Sequence, residues 1–258
     1  MKKWIAMILG ALLLISAAAC AQKTDGQNTA ETPAPEQNAD AELTGTEETN
    51  EEPPVGTLAG GWQVAENNEM TEERKAVFEK GLEGLVGVDY VPIAYLGSQV
   101  VAGTNHCILA EGKVVYPNST PMYVLVFLYE DLSGNVSLMN IENLPIIAED
   151  DGTLSAPGGE MLMGGWAYAD SYEVTDEMRD RLNKALEETV GASYEPIANL
   201  GTQVVAGLNR CLLCKVTPVV LNPEANYALV YVYEDLSGGA ALNYVIDFDF
   251  GAYCTYGA

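Results

Sequence analysis

The feature that most constrains this chain is an ungapped internal duplication. Gly60-Gly61-Trp62 recurs as Gly164-Gly165-Trp166, and the same spacing relates Thr71 to Thr175, Pro92 to Pro196, Gln99 to Gln203, Cys107 to Cys211 and Tyr129 to Tyr233. A repeat of roughly 100 residues is far longer than a solenoid unit, so each copy is expected to be a domain with its own core. The copies span residues 56–147 and 161–258, and the stretch 148–160, rich in Asp, Gly, Ser and Pro, reads as a linker between them.

Within each copy the elements follow from local chemistry. Thr71 followed by Glu72 and Glu73, and Thr175 followed by Asp176 and Glu177, read as N-caps with acidic first turns that complement the helix dipole. In the second copy Met178, Leu182, Leu186 and Val190 repeat every four residues as a buried stripe; Val77, Phe78, Leu82 and Leu85 serve in the first. Gly87 and Gly191 are the expected helix ends. Residues 90–101, 105–115, 123–129 and 136–141 read as strands, with equivalents in the second copy and a short strand after each Gly-Gly-Trp. The expected class is α+β: two tandem domains, each one long helix packed on a four- to five-stranded antiparallel sheet.

The N-terminus carries its own signals. Lys2 and Lys3 precede an apolar run that ends in Ser16, Ala17, Ala18 and Ala19, the pattern of a secretory signal peptide over residues 1–19. Cys20 follows directly, an arrangement that resembles a bacterial lipobox and implies lipidation of Cys20 and a membrane anchor. Ala17-Ala18-Ala19 also reads as an ordinary cleavage site that releases a soluble protein, so the expected location is exported, lipid-anchored at the cell surface or periplasmic face, or else secreted. Residues 20–55 are rich in Thr, Glu, Asn, Gln, Ala and Pro and are expected to form a disordered acidic tether.

A net charge of −25 leaves no basic patch to neutralise phosphates, which argues against a nucleic-acid partner. Cys107, Cys211, Cys214 and Cys254 are too few and too irregular for a disulfide framework, and Cys211-Leu-Leu-Cys214 has no second pair or nearby His to complete a metal site. Neither metal nor cofactor is expected.

Between the first two long strands lies Gln99-Val100-Val101-Ala102-Gly103, followed by Thr104-Asn105. The second copy has Gln203-Val204-Val205-Ala206-Gly207, followed by Leu208-Asn209. With a leading Gly-Gly, one helix and this Q-x-V-x-G segment at the first hairpin, each copy resembles the cystatin superfamily, most closely the stefins. The resemblance implies a wedge that enters the active-site cleft of papain-like cysteine proteases and occludes it without being cleaved. Gly60-Gly61 and Gly164-Gly165 would form its N-terminal edge, and the two Q-x-V-x-G segments its centre. Glu130-Asp131-Leu132-Ser133-Gly134 and Glu234-Asp235-Leu236-Ser237-Gly238 would form its second hairpin. Each second hairpin departs from the family in offering one apolar residue, Leu132 or Leu236, beside two acids. Trp62 and Trp166 are bulkier than the residue stefins usually have there, and His106 and Arg210 stand where stefins often have Tyr.

The function so implied is reversible competitive inhibition of a papain-like cysteine protease by a surface-displayed protein. The alternative is a non-inhibitory binding or adhesion module. Catalysis is not expected, because His106 is the only histidine, Arg210 replaces it in the second copy, and no nucleophile–base or paired-carboxylate arrangement repeats.

Overall fold

The computed structural model describes residues 60–148, 154–157 and 164–255. The expected signal peptide, the lipidation of Cys20 and the acidic tether lie outside them. In chain order the elements are β1 (Trp62–Val64), α1 (Glu72–Gly81), β2 (Val88–Val101), β3 (Gly103–Val114), β4 (Met122–Glu130) and β5 (Val136–Asn143). The connector contributes β6 (Ile147–Ala148) and β7 (Leu154–Ser155). The second repeat follows with β8 (Trp166–Tyr168), α2 (Asp176–Ala185), β9 (Ala192–Val205), β10 (Gly207–Pro218), β11 (Asn226–Glu234), β12 (Ala240–Asp247) and a 3-10 turn at Phe250–Tyr253.

Two five-stranded antiparallel sheets result, ordered β1-β2-β3-β4-β5 and β8-β9-β10-β11-β12, with β6-β7 as a third, two-stranded one. The long hairpins set the register: Gln99 faces Asn105 and Val101 faces Gly103, as Gln203 faces Asn209 and Val205 faces Gly207.

The expected class is corrected. The described residues are mostly β, 50% strand and 13% helix, and they do not form two tandem domains each built from a long helix on a sheet. The helices have 10 residues each. They begin as expected, with Thr71 and Thr175 accepting from the backbone N–H groups of Arg74 and Met178 at 3.4 and 3.3 Å. They stop about a turn and a half before Gly87 and Gly191, at the caps Leu82 and Leu186. Gly81 and Gly84 weaken the first helix beyond that point, and Glu187 and Glu188 oppose the dipole at the end of the second. Leu85 and Val190, expected on the buried stripe, are exposed.

The two sheets also share one core. On β3 and β4, Ile108, Ala110, Val124, Val126 and Leu128 turn toward α1 and pack with Phe78. Their neighbours Cys107, Leu109, Tyr123, Leu125 and Phe127 turn the other way, onto Leu200, Cys211, Leu213, Leu229 and Tyr231 of the second sheet. In the second repeat Leu182 packs likewise with Leu212, Cys214, Val230 and Val232. The layers run helix, sheet, sheet, helix, and the described residues belong to one compact unit.

Buried tyrosines stitch the halves together by donating to main-chain carbonyls across the interface: Tyr123 to Ala169, Tyr227 to Leu96 and Tyr231 to Ile146, each at 2.8 Å. Each repeat's tail crosses onto the other sheet. Phe250 lies over Gly97 and Ile146 over Gly201, where a β-carbon would collide with them.

Candidate functional site

One end of each five-stranded sheet collects every residue that the sequence places in the wedge. In the first repeat the chain enters through Gly60 and Gly61, β1 leads away from that end, the β2–β3 hairpin turns there at Ala102, and the β4–β5 turn returns there at Leu132. Sheet order places the three segments side by side, with the hairpin in the middle. The second repeat repeats the arrangement with Gly164, Gly165, Ala206 and Leu236.

The apolar residues at this end face solvent. Val100 is 56% exposed, Val101 42% and Leu132 88%; Val204, Val205 and Leu236 stand at 70%, 42% and 91%. Ala102 and Ala206 are exposed beside them. Isolated apolar residues at a surface are ordinary, but here they cluster on two neighbouring turns beside the glycines of the N-terminal edge, which makes this end of each sheet a candidate contact surface.

Polar groups hold the row still. Gln99 Nε2 donates to the Gly60 carbonyl at 2.6 Å while its Oε1 accepts from Asn105 Nδ2 at 2.7 Å. Gln203 makes the same pair with Gly164 and Asn209, at 2.8 and 2.7 Å. The motif glutamine therefore clamps the N-terminal edge onto the hairpin. Tyr129 Oη donates to the Ala102 carbonyl at 2.6 Å, and Tyr233 to Ala206 at 2.6 Å, so a tyrosine from the neighbouring strand braces each tip. Gly103 and Gly207 adopt φ of +133° and +137°, a region that favours glycine.

The aspartates of the second hairpin are engaged within their own loops. Asp131 Oδ1 accepts from the backbone N–H groups of Ser133 and Asn135 at 2.7 and 2.9 Å, and Oδ2 accepts from Asn135 Nδ2 at 2.7 Å. Asp235 closes its loop in the same way through Ser237 and Gly239. These hydrogen bonds, led by the side chains of Asn135 and Ser237, hold both carboxyls below their ordinary range. Glu130 and Glu234 turn back toward the sheet. Leu132 and Leu236 are the exposed apolar residues of these turns, whose backbones are held by Lys80 donating to the Gly134 carbonyl and Arg181 to that of Gly238.

Trp62 and Trp166 leave the row altogether. Trp62 packs edge-on against Phe127 and Phe250 at 5.6 and 5.4 Å, and Trp166 against Tyr231 at 5.4 Å. Their bulk anchors the N-terminal edge in the shared core. Cys211 and Cys214 face opposite sides of β10, one in the shared core and one under α2, and burial pushes the Cys214 thiol up to about 12.

Behind the row, His106 and Arg210 occupy equivalent positions with different chemistry. Arg210 donates from Nε to Glu234 at 2.7 Å and from Nη1 to Asn199 at 3.2 Å. His106 lies beside a cavity of about 200 Å3 between α1 and the sheet, lined by Glu73, Arg74, Tyr95 and Glu130. Its Nε2 is 3.2 Å from Glu130 Oε2 and its Nδ1 2.8 Å from Tyr95 Oη. A carboxylate only accepts, so the neutral ring donates from Nε2 and accepts the tyrosine proton at Nδ1.

Burial lowers the His106 pKa below 6.5, with Arg74 adding to that, while the bond to Glu130 opposes it. The unfolded chain then binds the proton first on acidification. The stability that the neutral ring contributes is complete above about pH 6.5 and is lost as pH falls from there through the lower folded value. His106→Gln keeps a donor and cannot titrate. Between pH 7.5 and 5.0 the urea midpoint of the parent is expected to fall more than that of His106→Gln, and parallel falls would refute this assignment.

The motif residues and Leu132 and Leu236 were legible in the sequence. Tyr129, Asn105, Asp131 and Glu130 stood within the repeat and the hairpin segments, but their part in fixing this geometry was not assigned. The signal was there: each is identical in the second copy, at Tyr233, Asn209, Asp235 and Glu234. No protein-family model matches the chain, and no curated protein matches it.

Proposed function

We propose that the protein is a reversible competitive inhibitor of papain-like cysteine proteases, as the resemblance to cystatins implies, displayed through lipid attached to Cys20. The observation that supports this most is the braced apolar row at each sheet end. Adjoining strands about 4.8 Å apart make it on the order of 20 Å across, narrow enough to enter a cleft edge-on. Rigidity limits the ordering cost of docking, so buried apolar area contributes more of its value to affinity. The Ala102 carbonyl is engaged by Tyr129, and the hairpin backbone is tied in register on both sides. The tip therefore resists the extended geometry that a cleavable peptide adopts.

The test is titration of the protein into papain with a fluorogenic substrate, beside the double variant Val101→Asp/Val205→Asp. Both residues are exposed, so the variant keeps its fold, while a carboxylate forced into a desolvated cleft costs several kcal/mol. The parent is expected to inhibit competitively and the variant to lose at least about 100-fold. A folded parent that inhibits no papain-like protease sinks this reading. If a partner is then found whose binding ignores the two substitutions, the adhesion-module reading takes its place.

A further inference from the structure

We infer that one molecule holds two protease molecules at once, one at each end of the double sheet, without either hindering the other. This rests on the inhibitor reading and adds to it a stoichiometry and a geometry that the repeat alone does not dictate, since two tandem heads can equally point the same way.

The contacts between the sheets set their relative direction. Lys215 and Tyr227 are register partners near the end of the second sheet remote from its apolar row. Lys215 Nζ donates to the carbonyls of Ala65 and Glu66 at 2.7 and 2.5 Å, and Tyr227 Oη to that of Leu96 at 2.8 Å. Ala65 and Leu96 are themselves bonded to each other, and lie on the row side of the first sheet, just past the Val64–Gly97 pair. The reverse contact obeys the same rule. Tyr123, remote from the first row, donates to Ala169, which follows β8 on the row side of the second sheet.

The row half of each sheet is thus laid over the far half of the other, and the two rows point away from each other. From Val101 back to Leu96, across to Tyr227 and on to Glu234 is roughly twelve strand positions, on the order of 40 Å for aligned strands. A globular protease of about 220 residues has a radius of gyration of roughly 17 Å. Two such bodies docked beyond opposite ends do not meet. The shared core between the rows also forbids a single protease from reaching both, so no chelate gain arises within one complex.

The experiment is calorimetric titration of the full-length protein with papain whose active-site thiol is capped, with complex mass followed by sedimentation velocity. The expected result is two papain molecules per chain with one affinity. Val101→Asp and Val205→Asp are each expected to reduce the ratio to one with melting temperature unchanged, and the double variant to abolish binding. Saturation of the parent at one papain overturns this inference while leaving inhibition intact, as does a second site weaker than the first by tenfold or more. No binding by the folded parent overturns the inhibitor reading instead.

Discussion

Residues 161–258 produced alone are expected not to fold as a monomer. In the whole protein Leu200, Leu213, Tyr227, Leu229 and Tyr231 are at most 1% exposed because the first sheet covers them. Uncovering five such side chains at about 2 kcal/mol each forfeits on the order of 10 kcal/mol. That is comparable to the whole net stability of a domain, about 5–15 kcal/mol. The hydroxyls of Tyr227 and Tyr231 lose their acceptors Leu96 and Ile146 as well. The measurement uses the intact chain as control, with Trp62→Phe and Trp166→Phe variants that leave one tryptophan reporter among the described residues, in the second or first repeat respectively. Their urea transitions should coincide, as one cooperative unit requires. Two separated transitions, or a soluble monomeric half with cooperative melting, would show that the repeats are independent.

Gly103→Ala is expected to disable the first row and to lower stability by about 1–3 kcal/mol. At φ +133° a β-carbon is strained whatever the space, and here it would also strike the Glu130 carbonyl and come within 2.9 Å of the Tyr129 ring. Relief means opening the hairpin or pushing Tyr129 away, which removes the brace on Ala102. Gly207→Ala should do the same to the second row, since Tyr233 and Glu234 stand in the same relation to it. Denaturant midpoints give the stability change. The papain titre should fall to one site per chain for either single variant, and an unchanged midpoint with full inhibition would defeat the argument.

The row was more legible in the sequence than the architecture that carries it. Gln99, Val100 to Gly103 and their duplicates form a hairpin with a glycine at the turn because local propensity and pairing decide short-range structure. Helix starts were legible at Thr71 and Thr175 for the same reason. Helix ends were not: a four-residue apolar spacing carried the expected stripe on to Val190, whereas the helix stops at Leu186, just before the acids Glu187 and Glu188, and Val190 is 90% exposed.

The helix-on-sheet class failed on a clue that was present but unread. A sheet with one wet face alternates apolar and polar residues, and Tyr123 to Leu128 and Tyr227 to Val232 do not alternate. Every one of those side chains is buried. Continuous runs meant two covered faces, and one helix per repeat can cover only one.

The sequence by itself determined the duplication, the strand and hairpin order within each repeat, the residues of each apolar row and the strongly acidic net charge. All of these depend on chemistry local to each stretch of chain or on simple sums of charge. Only the tertiary structure decided that the second covered face would be the other repeat, that Trp62 and Trp166 would serve the core, and that the two rows would point apart. Those outcomes follow from how two twisted apolar surfaces fit together, with Phe250 over Gly97 and Ile146 over Gly201. Such a fit is a property of side chains far apart in the chain, which no local pattern encodes.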